Sequence, residues 1–195
     1  MKRRNFLHLF PAVGLLACGV DERGFHNKDL TAQGVVPQAR LFAGDGKAVS
    51  FEDFRGKALI VYFGYTSSPE TVPTAMRKYA SLVRNLRSKD AERVQFLFVS
   101  FDSERDTPER SSTYARLFNQ GFIGLAADGA QITAIASQFG ATYTKKLVEG
   151  STAYHFEHSN EAYVVDPKGH LRLALAADAL LEPITADLQK LLAEK

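Results

Sequence analysis

The sequence predicts an α/β fold: a central mixed sheet flanked by helices, with a β-hairpin ahead of it. Three observations carry that expectation. Residues 58–63 are an unbroken run of aliphatic and aromatic side chains, and residues 94–101 are a second run of β-branched and aromatic residues interrupted only by Gln95 and Ser100, the pattern of buried strands. Each run is followed by a segment of helical period, so strand and helix alternate. Further on, residues 162–165 and 171–175 flank Asp166-Pro167-Lys168-Gly169, a turn sequence that joins two strands as a hairpin.

Taken in order, residues 39–42 and 48–51 form the first hairpin around Ala43-Gly44-Asp45-Gly46-Lys47. Gly44-x-Gly46-Lys47 is not a phosphate loop, because its spacing is wrong and no helix follows. Residues 51–57 lead into the central strand 58–63. The stretch Phe63-Gly64-Tyr65-Thr66-Ser67-Ser68-Pro69-Glu70-Thr71-Val72-Pro73 connects that strand to a helix over 74–86, and Pro69 and Pro73 shape it. In open α/β sheets this crevice, between a strand's carboxyl end and a helix's amino end, is where ligands and reactive groups collect. The second strand ends in Asp102–Glu109, where Thr107 or Asp106 caps the helix begun by Pro108 and the acids read as a solvated loop. Residues 124–127 are a short strand or loop. Ile132, Ile135, Ala136 and Phe139 share one face of a helix over 130–139, which Gly140 stops, and a last helix covers 183–192. Strand, helix, strand, helix, hairpin, helix is the thioredoxin order.

With 45% apolar and 24% charged residues and a net charge of +2, the 195-residue chain reads as one soluble domain plus a leader. Lysines and arginines are scattered and no basic stripe is interleaved with aromatics, so no nucleic-acid partner is expected. The single cysteine, Cys18, closes a basic start, Met1-Lys2-Arg3-Arg4, and an apolar segment over 6–17 that is too short to span a membrane and has the layout of a signal peptide. Leu15-Leu16-Ala17-Cys18 resembles the lipobox of bacterial lipoproteins. The resulting organisation is a signal peptide over 1–17, a lipidated Cys18 with a flexible tether over 18–35, and the domain over 36–195. The protein is thus expected to be exported to the periplasmic face and lipid-anchored to a membrane, with no free thiol left. Lys2–His8 resembles a twin-arginine motif, which bears only on the export route.

The 63–73 loop resembles the signature of the SCO (SenC-like) family of thioredoxin-fold copper proteins, F-G-Y-T-x-C-P-x-x-C-P. Phe63, Gly64, Tyr65, Thr66, Pro69 and Pro73 match, while Ser68 and Val72 stand where the family has its two cysteines. Residues 102–109 resemble the family's D-P-E-R-D-T-P-E, with Ser103 for its proline. Glu157-His158-Ser159 resembles its D-H-S, which aligns His158 with the family's third copper ligand. The resemblance spans residues 36–193. It implies copper as the metal, cytochrome oxidase or copper-enzyme assembly as the setting, and a protein partner in that assembly.

The chemistry at the matched positions differs. Thiolates supply most of a protein site's affinity for Cu(I), whereas a serine hydroxyl is hardly ionised and valine has no donor. Dithiol exchange is lost with the thiols. The expectation is therefore an accessory factor, not an enzyme, which docks through the loop with Val72 adding an apolar group to the face. Two chemical alternatives stay open. His155 and His158 could share a harder Cu(II) or Zn(II) site with Glu157 if residues 155–158 form a loop, with Met76 near by, but not if they form a strand, where residues three apart face opposite ways. Ser68 and His158 could form a hydrolytic pair oriented by Glu157 or Asp106, although no G-x-S-x-G turn is present.

Overall fold

The structure is a computed structural model and describes residues 24–194. The expected signal peptide, the expected lipobox cysteine Cys18 and the expected tether up to residue 23 lie outside the described residues.

The centre of the molecule is a six-stranded mixed sheet. Its core strands are β4 (Ala58–Gly64) and β5 (Val94–Ser100), which are parallel; β4 is buried at every residue, as its unbroken apolar run requires. The hairpin β9 (Ala162–Val165) and β10 (Leu171–Leu175) adds to β4 through antiparallel β9. Its turn closes with the Gly169 N–H donating to the Asp166 carbonyl at 2.8 Å, with Gly169 at φ 85°. Short parallel β6 (Ile123–Leu125) completes the other edge. Gly124 is required there, since any Cβ would collide with the Ser111 backbone of the crossing helix.

Three helices each follow a strand of the sheet. α1 (Thr71–Asn85) follows β4, α3 (Pro108–Phe118) follows β5 with Thr107 as its side-chain cap, and α4 (Gly129–Phe139) ends at Gly140 in the left-handed conformation. A short α2 (Ser88–Ala91) sits between α1 and β5, and α5 (Leu181–Ala193) ends the fold. Tyr62 of β4 packs on Tyr79 of α1, whereas its neighbour Phe63 packs on Phe139 of α4. The two-residue alternation of the strand therefore loads one aromatic into each layer of core.

The tether assignment needs correction for residues 24–35. β1 (Lys28–Asp29) pairs antiparallel with β10, Phe25 and Leu30 are buried, and the N–H groups of His26 and Asn27 donate to the Asp187 carboxylate in α5 at 3.0 and 2.9 Å. Two apolar anchors and two strand residues are too few to show a period, so the polar composition around them reads as linker. The predicted first hairpin is present as β2 (Leu41–Phe42) and β3 (Ala48–Val49). Residues 51–54 then make a 3₁₀ turn with a Ser50–Asp53 capping box. A third hairpin, β7 (Tyr143–Leu147) and β8 (Tyr154–His158), stands as a separate two-stranded sheet. No helix among the described residues is long and apolar enough to cross a membrane.

Candidate functional site

The site is built on the β4–α1 loop. Tyr65 is buried, and the chain turns back with the Ser68 N–H donating to the Tyr65 carbonyl. Ser68 is 7% exposed, and its hydroxyl accepts from the Val72 N–H at 3.3 Å, which supplies the first turn of α1 with the side-chain acceptor that Glu70 does not provide. Pro73 falls within that first turn, where no backbone donor is needed, and Pro69 lies exposed on the approach.

Val72 is fully buried. A Cβ placed on Gly64 would come 3.0 and 3.1 Å from its two methyls, so valine at 72 and glycine at 64 fit as a pair. This corrects the expectation that Val72 adds an apolar group to a docking face: its side chain faces the core. The exposed residues of the loop are Ser67, Pro69, Glu70 and Thr71.

Asp106 braces the loop. It is 3% exposed and its carboxylate accepts from the Thr66 N–H at 2.8 Å, the Thr66 hydroxyl at 2.6 Å and the Ser100 hydroxyl at 2.6 Å. Arg110 lies 3.3 Å away and also donates to Thr66 and Ser67. The solvated-loop reading of these acids is thus wrong for Asp106, and for Asp102, which is 1% exposed and accepts from Arg105 and from the Tyr154 hydroxyl. Partners 40 and 52 residues away leave no local signal in the sequence. Arg105 stacks 3.8 Å from the Tyr154 ring centre, so this group fastens β8 to the loop side of the sheet.

His158 ends β8 and packs edge-on to Tyr65 and against Phe101. Its Nδ1 lies 2.8 Å from the Ser159 carbonyl, an acceptor, so the proton sits on Nδ1 and Nε2 keeps its lone pair. Burial holds the imidazole below its ordinary pKa, against the Ser159 hydrogen bond, which favours the charged form. The outcome at 155–158 is the strand alternative: Tyr154, Phe156 and His158 turn inward while His155 and Glu157 face solvent. His155 therefore cannot join His158 on one ion, and Glu157 pairs instead with Lys146 at 3.4 Å. Tyr154-x-Phe156-x-His158 carried the two-residue period that identifies this strand.

Among the described residues no hydrogen bond joins the Ser68 hydroxyl to the His158 imidazole of the hydrolytic alternative. The Ser68 hydroxyl faces the Val72 amide, the His158 Nδ1 faces a backbone carbonyl, and Asp106 is committed to Thr66, Ser100 and Arg110. Met76 is fully buried in α1. Copper fares no better against the donors at the matched positions, which amount to one imidazole, one hydroxyl used as a cap, and an alkyl group. That set does not fit soft Cu(I). Among the described residues no cluster of three or more histidine, cysteine or acidic side chains is placed to hold a metal ion.

Known proteins share this architecture. A copper-bound ScoI of Bradyrhizobium japonicum superposes with a TM-score of 0.72 at 28% identity, over 80% of this chain and 99% of that one. Apo Sco1 of Thermus thermophilus gives a TM-score of 0.72 at 32% identity, over 86% and 96%. In sequence, a SCO2-like protein of Rickettsia prowazekii is 28% identical over 143 residues, 71% of this chain and 69% of its own length. The SCO1/SenC family profile matches residues 28–193, a span that begins at β1. A thioredoxin-like sheet, the braced F-G-Y-T loop and the inward histidine of β8 all agree with that match, and the chain belongs to the SCO1/SenC family.

Proposed function

We propose that this protein is a membrane-anchored, periplasmic SCO-type accessory factor that serves oxidase or copper-enzyme assembly as a docking partner, without thiolate copper binding, disulfide exchange or enzymatic activity of its own. The observation that carries the reading is the contrast within one loop. Its shape is held by Asp106, Thr66 and Arg110, while the side chains at 68 and 72 are a helix-capping hydroxyl and a buried alkyl group. A braced, exposed loop is suited to meet another protein, and exposed loops on rigid scaffolds commonly carry such contacts. The docking residues on this reading are Ser67, Pro69, Glu70 and Thr71.

The test is a Cu(I) titration against a strong chelator. The native chain is expected to retain no stoichiometric Cu(I), and the double variant Ser68→Cys/Val72→Cys to gain roughly a hundred-fold or more in affinity, since thiolates are the donors Cu(I) prefers. Tight Cu(I) binding by the native chain would overturn the reading. For the partner, a photoreactive residue at position 70 is expected to capture an assembly protein in membranes. Capture only from a probe on α5 would move the docking face elsewhere.

A further inference from the structure

The end of the domain opposite the loop is cationic. Arg55 and Lys57 precede β4, Arg93 precedes β5, and Arg87 and Lys89 lie at α2; all are exposed. The β9–β10 turn with Lys168 is held to this end by the Gly56 N–H donating to the Pro167 carbonyl at 2.9 Å. Arg93 also fixes the last turn of α5, which bears Lys190, by donating to the Leu192 carbonyl at 2.9 Å. Of the carboxylates here, Asp90 and Asp166 are buried against Arg87 and Arg172, Glu52 and Glu194 face Arg55 and Arg172, and Asp53 and Glu92 remain. Cations outnumber carboxylates at this end. The segment beside the loop is more acidic, with Glu70, Asp102, Glu104, Asp106 and Glu109 around Arg105, Arg110 and Lys145, the last paired with Glu104 at 2.6 Å.

The N-terminal strap joins the chain to the cationic end. The Phe25 ring lies 4.4 Å from the Lys190 ammonium and 5.5 Å from the Arg172 guanidinium, and the described chain begins at the neighbouring Gly24. The six peptide steps from Cys18 to Gly24 can span at most about 22 Å. Screening confines surface attraction to about 8 Å at physiological ionic strength, so the end that faces a bilayer decides the interaction.

We propose that this cationic end binds the anionic headgroups of phospholipids and so holds the Tyr65–Pro73 loop pointing away from the membrane. The proposal rests on the lipid-anchor reading only for how the chain reaches the bilayer; the charge distribution and the strap are independent of it.

Cys18 is the only cysteine, so a nitroxide can be placed by Ser88→Cys at the cationic end or Thr71→Cys on the loop of the mature, membrane-isolated protein in nanodiscs. In phosphatidylglycerol-rich discs the label at 88 should be relaxed strongly by a headgroup-borne paramagnet and the label at 71 weakly. The contrast should collapse in pure phosphatidylcholine, in half-molar salt, and in Lys57→Gln/Arg87→Gln/Lys89→Gln. A loop label nearer the bilayer, or a contrast indifferent to lipid charge, overturns the proposal. Mass analysis of the N-terminus reports separately whether Cys18 is lipidated. If it is not, co-sedimentation of the same chain with anionic and neutral vesicles decides instead. Anionic binding should weaken about five-fold per cation removed, on the order of a hundred-fold for the triple variant. Equal binding to both vesicle types overturns the proposal, and loss of anionic binding on adding an acidic protein without loss on adding salt assigns the surface to protein.

Discussion

Asp106 and Asp187 are both buried carboxylates that accept backbone N–H groups from distant chain, yet they hold different kinds of structure. Asp187 receives the amides of His26 and Asn27 and the Asn27 side chain, fastening a strap at the edge of the sheet. Asp106 receives the Thr66 amide and hydroxyl and the Ser100 hydroxyl, and Arg110 lies against it, so one side chain joins β5, α3 and the β4–α1 loop. A strap can fray and let water replace its acceptor. A loop between two buried elements cannot move without disturbing both. The comparison teaches that burial alone does not rank these residues; what their donors belong to does.

The largest effect is therefore expected from Asp106→Ala, about 3 kcal/mol, because the Thr66 amide and two hydroxyls lose a charged acceptor together. Urea unfolding measures it, and a loss below about 1 kcal/mol would mean that water restores the loop's hydrogen bonds. Next comes Asp187→Ala, at about 1–2 kcal/mol. Hydrogen exchange should show protection lost at His26 and Asn27 and kept in β4 and β5. Global loss of protection would erase the distinction between strap and brace.

The smallest effect concerns His158 and pH. Burial keeps its folded pKa below the unfolded value of about 6.5, so on acidification the unfolded chain takes up the proton first. Stability should fall as pH drops through that unfolded value and level off once the folded imidazole is also protonated. In His158→Gln this component is absent, and the difference between the two unfolding profiles from pH 7.5 to 5 isolates it. A native profile no steeper than the variant's would mean the ring is solvated, as His155 is.

The sequence alone was enough to order the main layers. The apolar run at 58–63 and the β-branched and aromatic run at 94–101 mark buried strands, the Asp-Pro-Lys-Gly turn joins two strands, and Gly140 stops a helix whose apolar face is already laid out, because these signals are local. The same locality explains the substitutions at 68 and 72, which are visible as letters and whose chemistry follows from their functional groups. Only the tertiary structure could decide what those groups face. Val72 turns to Gly64 and the core, Ser68 caps α1, and His155 and His158 part company once 154–158 is extended. Asp106 and the strap at 24–35 depend on partners 40 and about 160 residues away. Long-range pairing leaves no period in the chain, so the residues that hold the loop and strap became legible only when the fold brought their partners to them.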